Sequence, residues 1–226
     1  MKRLLLLTVI LLLLGLMLAG WLYSKGEQSN GEVTLPWKVE LSDSGATRVF
    51  GMDIGRLTLK EMMLSLHKLA EASVFENREG VLSLEAYFGK TRLGIFDATL
   101  IADIDASQVE LKNFISLLKV SDREGTPSGN WKYKLAEESV QQANDMRVWR
   151  LVYIPSANYD VVTIEKQFGK PDNKEPLGDG LTYWYYPKKG VVVLEDQNGG
   201  EVFYYVAPDE FSRLQAALPK EKPEIR

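Results

Sequence analysis

Residues 181–206 read LTYWYYPKKGVVVLEDQNGGEVFYYV, and the fold class turns on them. Three runs of β-branched and aromatic residues, 181–186, 191–195 and 202–206, are separated by 187–190 and 196–200, both rich in turn-forming residues. The pattern predicts an antiparallel meander. Side chains alternate along a strand. Tyr183 and Tyr185 therefore point one way, and Trp184 and Tyr186 the other. Along the third run Phe203 and Tyr205 oppose Val202, Tyr204 and Val206. Both faces of this sheet are apolar, and a single helix layer covers only one. In one reading the other face is covered by the N-terminal half of the chain or by a helix over 208–218. In the other reading Tyr183, Tyr185, Phe203 and Tyr205 form a strip that receives a partner chain or an acyl chain, because aromatic side chains dominate binding hot spots.

Working outward, Asp160 caps a predicted helix over 161–168 that Gly169 and Pro171 stop. Pro208 opens the helix that carries Phe211, Leu214 and Leu218 on one face. Upstream, 131–135 and 147–154 read as strands, with a short helix over 137–143. Thr58-x-x-Glu61 and Ser107-x-x-Glu110 are capping boxes, in which a hydroxyl and a carboxylate each satisfy an orphan backbone N–H. The first opens an apolar helical pattern from Leu59 to Val74. Residues 81–88 and 91–104 read as a hairpin turning at Gly89-Lys90. Helix then strands over 58–104 repeats as helix then strands over 160–206, an order that leaves a tandem arrangement open. The expected fold is α+β: two helix-plus-antiparallel-sheet units, 48–120 and 130–218, joined through the charged, Pro- and Gly-bearing stretch 120–129. A tether over 24–47 precedes them and a frayed tail, 219–226, follows.

The segment 154–206 resembles the SmpA/OmlA (BamE-like) family. The resemblance rests on a helix ending Glu165-Lys166-Gln167-Phe168-Gly169-Lys170-Pro171, then Thr182-Tyr183-Trp184-Tyr185-Tyr186, then two short strands. It implies an αβ module of the β-lactamase-inhibitor-protein type that works by binding other proteins. Ser156-Ala157-Asn158-Tyr159 replaces the Gly-Met-Thr-like turn with which that family enters its helix, and the family's lipidated cysteine is absent. A role in outer-membrane assembly does not carry over.

At the N-terminus, residues 4–23 carry no charge. At 1.5 Å per residue they reach about 30 Å as a helix, the thickness of the hydrocarbon layer. Lys2 and Arg3 precede the run and Trp21 and Tyr23 close it, so 1–23 reads as an uncleaved single-pass signal anchor, with the rest of the chain in the periplasm. The competing reading, a cleaved secretory peptide, lacks a clean small-x-small site.

The 226 residues hold 27 Lys and Arg against 31 Asp and Glu, a net charge of −4. No basic stripe is present, which argues against nucleic acid as a partner. Zero cysteines exclude disulfides, thiol catalysis and cysteine metal sites, and one histidine leaves little for general-base chemistry. His67 lies at the border of an apolar helical face, where packing explains it. Asp103-x-Asp105-x-Ser107 opens like a calcium loop but lacks the glycine and the closing glutamate. Gly51-x-x-x-Gly55 reads as a turn. No catalytic residue, cofactor or metal ligand is therefore assigned. The expected function is that of a non-catalytic, inner-membrane-anchored periplasmic interaction or scaffold protein of the bacterial envelope, whose partner is another envelope protein. The alternatives are a small-ligand or lipid-fragment module using the aromatic face, and a cysteine-independent enzyme.

Overall fold

The computed structural model describes residues 35–116, 118 and 122–220. A small sheet comes first, β1 (Glu40–Leu41), β2 (Thr47–Val49) and β3 (Met52–Ile54). Helix α1 (Leu59–Leu66) leads into a meander of β4 (Glu71–Glu76), β5 (Leu82–Leu93) and β6 (Phe96–Ile104). Next come α2 (Gln108–Ser116), the hairpin β7 (Arg123–Gly125) and β8 (Trp131–Lys134), and α3 (Glu137–Asn144). Strand β9 (Val148–Pro155) and α4 (Val161–Phe168) precede a second meander of β10 (Asn173–Gly178), β11 (Leu181–Tyr186), β12 (Val191–Asp196) and β13 (Val202–Val206), and α5 (Phe211–Ala217) follows it.

Ten of these strands form one antiparallel sheet in the order β10-β11-β12-β13-β9-β6-β5-β4-β8-β7. This corrects the expected α+β pair of units: the described chain is mostly β and its two meanders are halves of one sheet. Strand β9 joins them. It pairs with β6 from Ala98↔Pro155 to Ile104↔Val148, and with β13 from Phe203↔Tyr153 to Val206↔Arg150. Apolar alternation identifies strands but not their neighbours, so two meanders looked like two sheets. Residues 122–134, which overlap the expected boundary, form the β7–β8 hairpin, and β8 pairs with β4 from Ser73↔Lys134 to Glu76↔Trp131.

The expectation of a transmembrane signal anchor is likewise not supported. Residues 4–23 lie outside the described residues, and among the described residues no helix is long and apolar enough to cross a membrane. The nine residues of α2 are the longest described helix, about 14 Å at 1.5 Å per residue against a hydrocarbon layer of about 30 Å. The inner-membrane placement and the envelope setting built on it have no support in the described fold.

One face of the sheet, the inner face, is covered by α1, α2, α3 and α4. Leu59, Met62, Leu111, Phe114, Ala143, Ile164 and Phe168 pack there against Leu84, Leu100, Leu151, Tyr153, Trp184 and Phe203. The small sheet adds Val49, Met52 and Ile54. Its β2–β3 turn, Phe50-Gly51, has positive φ at both residues, as a tight two-residue hairpin requires. The turn aims the Phe50 ring into the core, stacked 5.3 Å from Tyr153 and edge-on to Tyr205 at 6.0 Å.

The capping boxes form as their spacing predicts. Thr58 Oγ1 accepts from Glu61 N while Glu61 Oε2 accepts from Thr58 N, and Ser107 and Glu110 repeat the pair. Asp160 caps α4 by accepting from Thr163 N at 2.6 Å. The first helix is shorter than its apolar pattern suggests. His67 takes a left-handed conformation (φ 49°, ψ 38°) and ends it, so Val74 belongs to β4, and Leu69 is exposed. The β5–β6 turn also moves. Gly89 (φ 62°) makes a bulge rather than a turn, so β5 runs on to Leu93 and reverses at Gly94-Ile95. Gly190 (φ 64°) admits no side chain, since a Cβ there would lie 2.0 Å from Val206 O and 2.4 Å from Thr47 Oγ1.

Candidate functional site

The four aromatic residues singled out in the sequence are all buried and lie on two faces. The register Trp184↔Val193↔Phe203↔Tyr153 places Phe203 with Trp184 on the inner face, and Tyr186↔Val191↔Tyr205 does the same for Tyr205. Tyr183 and Tyr185 share the outer face with Val192, Leu194, Tyr204 and Val206. The structure thus brings Tyr183 and Tyr185 together and separates them from Phe203 and Tyr205.

Helix α5 fills the outer face over β9–β13 with Phe211 and Leu214. Phe211 meets the Tyr185 ring edge-on at 6.3 Å. The phenols find partners at the rim. Tyr183 donates to Pro219 O at 2.7 Å and Tyr185 to Glu175 Oε2 at 2.5 Å. Burial pushes the Tyr183 hydroxyl up to about 12, so both rings are neutral hydrogen-bond donors at physiological pH. Of the strip expected to bind a partner, Tyr183 and Tyr185 are covered by the chain's own helix α5, and Phe203 and Tyr205 lie in the inner core.

Charged residues fix that helix. Arg147 pairs with Asp105 and, at 2.7 Å, with Glu210; Arg213 lies 2.9 Å from Asp105 and 3.3 Å from Glu210. The Arg213 guanidinium also stacks 4.0 Å from the centre of the Trp149 ring. Partial burial raises the Asp105 pKa, but hydrogen bonds from Arg147 and Arg213 outweigh it and hold the carboxyl below its ordinary range. Deeper in the sheet, Asp103 and Arg150 form a largely buried pair at 2.5 Å. Both carboxylates of the calcium-like run therefore face guanidinium groups. Among the described residues no group of three or more His, Asp or Glu side chains could hold a metal ion.

The outer face is built differently over β8, β4, β5 and β6. The apolar anchors of α1–α4 lie on the inner face and those of α5 over β9–β13. Here the outward positions of β4 are Glu71, Ser73 and Phe75, those of β5 include Glu85 and Tyr87, and β6 contributes Ile101. With Lys132 of β8 they enclose a hollow of ≈ 190 Å³. Ser73 and Phe75 are buried in it, while Glu85, Tyr87, Ile101 and Lys132 are half-buried and Glu71 is exposed. Lys132 Nζ lies 2.7 Å from Glu71 Oε1 and draws that carboxyl below its ordinary pKa. Ser73 is 1 % exposed and its Oγ has no hydrogen-bond partner. Ile101 also packs against the cluster under α5, so the hollow begins where that cluster ends.

No family model, curated protein or solved structure matches this chain.

The hollow is hidden in the sequence for a physical reason. Glu71-Ala72-Ser73-Val74-Phe75 falls within an apparent helical pattern, and only β4's pairing with β5 and β8 turns Ser73 and Phe75 to one side. The period-two alternation of Ala72 and Val74 against Ser73 and Phe75 was the available signal.

Proposed function

We propose that this chain is a non-catalytic protein-binding module that takes its partner on the outer face of β8, β4, β5 and β6. The observation that carries this reading is the unequal covering of the sheet. Four helices pack on the inner face and α5 on the outer face over β9–β13, and a largely apolar hollow opens on the remainder. Partly exposed apolar surface rimmed by charge is the usual character of an interaction site. The hollow's ≈ 190 Å³ is small beside the roughly 300–1,000 Å³ of pockets that enclose whole small molecules, and suits one inserted side chain.

The test is a photo-crosslinking amino acid placed at exposed Ser83 or Lys134, beside the hollow, and at Lys188 on a distant turn as control. Cells making the full chain should yield one discrete protein adduct from 83 or 134, absent from 188. The adduct should disappear when Tyr87→Arg is added without a change in melting temperature. Adducts that appear equally from all three positions, or that survive Tyr87→Arg, defeat the reading.

A further inference from the structure

Building on that reading, we infer that the hollow is a binding site for one ring-sized group that carries a hydrogen-bonding atom and no negative charge, supplied as a tyrosine side chain of the partner. Size comes first. An apolar cavity of about 150 Å³ accepts benzene, so ≈ 190 Å³ holds one six-membered ring and a substituent. Phe75, Tyr87 and Ile101 supply apolar walls, and two of the three can stack or meet a ring edge-on.

Polarity narrows the class. The Ser73 hydroxyl lines the hollow, is withdrawn from water and has no partner within the protein. An unpaired buried hydroxyl is costly, and an occupant with a polar atom at that depth satisfies it. Serine can donate or accept, so a phenol hydroxyl fits in either sense, whereas a purely aliphatic or phenyl group leaves Ser73 orphaned. Charge sets the last condition. Two carboxylates, Glu71 and Glu85, and one ammonium, Lys132, line the hollow, and Lys132 pairs with Glu71. A carboxylate entering here meets like charge, while neutral or cationic neighbours do not. Tyrosine combines the ring, the hydroxyl and neutrality, and it is among the side chains enriched at binding hot spots.

The experiment titrates the isotopically labelled full chain with p-cresol, toluene and 4-hydroxybenzoate, following the Ile101 methyl and Tyr87 ring signals by nuclear magnetic resonance. p-Cresol should shift both, binding several-fold tighter than toluene and at least tenfold tighter than 4-hydroxybenzoate. Ser73→Ala should weaken p-cresol about three- to tenfold and leave toluene unchanged, with the melting temperature measured alongside. If p-cresol does not move Ile101 at millimolar concentration, or if Ser73→Ala weakens toluene as much, the site is refuted, while an adduct from position 83 would still stand for the protein-binding function. Binding of p-cresol with no such adduct upholds the site, assigns it to a free phenol and overturns both the partner's tyrosine and the protein-binding reading.

Discussion

Trp184 and Tyr185 are neighbours that face opposite sides of the sheet, and each is covered: Trp184 is 2 % exposed and Tyr185 4 %. Truncating either leaves a ring-sized void. Trp184→Ala and Tyr185→Ala should therefore each cost about 3–5 kcal/mol in urea unfolding, the range for large buried aromatics. A Tyr185→Ala protein that melts like the parent would mean the outer face is open. The Trp184 indole N–H is buried without a partner, although the Lys174 ammonium lies 3.5 Å from the ring centre. A second residue carries an electrostatic load of opposite sign to the ion pairs. Glu195 in β12 is buried, and burial, Asp196 and Glu201 all push its pKa above the ordinary value. A raised carboxylate pKa favours the folded state while the group is protonated. The benefit fades as pH rises from the unfolded value, about 4.3, through the folded one. Glu195→Gln should raise the melting temperature at pH 7 and change little at pH 3. An equal shift at both pH values would mean that the substitution acts through packing.

At the level of elements, α5 is seven residues long and begins without a side-chain cap, so its stability comes from docking rather than from its own turns. Phe211 and Leu214 hold it below and the Asp105–Arg147–Glu210–Arg213 network beside it. Because the Asp105 pKa is lowered, its contribution is full above the unfolded value of about 3.9 and is lost as pH falls through the folded value. Acid should loosen α5 before the sheet, seen as dye binding to the exposed aromatic face below about pH 4, and Asp105→Asn should give the same binding at pH 7. Dye binding that begins only with the loss of sheet signal would place the weak point elsewhere. Elements with local signatures were legible in the sequence. The α1, α2 and α4 starts lie in their hydroxyl, carboxylate and spacing pattern, and β11–β13 lie in their aromatic alternation and turns. Elements defined by partners were not. Strand β4 hid in a helical pattern because His67, whose φ is positive, ends α1 with no glycine to announce it. Strand β10 carries Pro176 and no apolar alternation, and exists because β11 pairs with it. The strip of Tyr183, Tyr185, Phe203 and Tyr205 was legible as aromatic but not as divided between two covered faces, since alternation assigns a face to each ring and says nothing of register between strands.

On the scale of the whole molecule, β9 makes the two meanders one cooperative body. Urea unfolding of residues 35–220 should show a single transition by fluorescence and by far-ultraviolet circular dichroism, and the isolated segment 130–218 should not fold, because β9 would lack β6. Two separated transitions would restore the picture of independent units. The same placement has a consequence in time. Ribosomes add about 5–20 residues per second, and β6 ends at Ile104 whereas its neighbour β9 ends at Pro155. For roughly 3–10 seconds at that pace, nascent β6 presents a bare hydrogen-bonding edge beside the apolar face of β4–β6, the combination most prone to joining another copy. The first half of this chain is therefore a natural client for a holding chaperone until its central strand has been made.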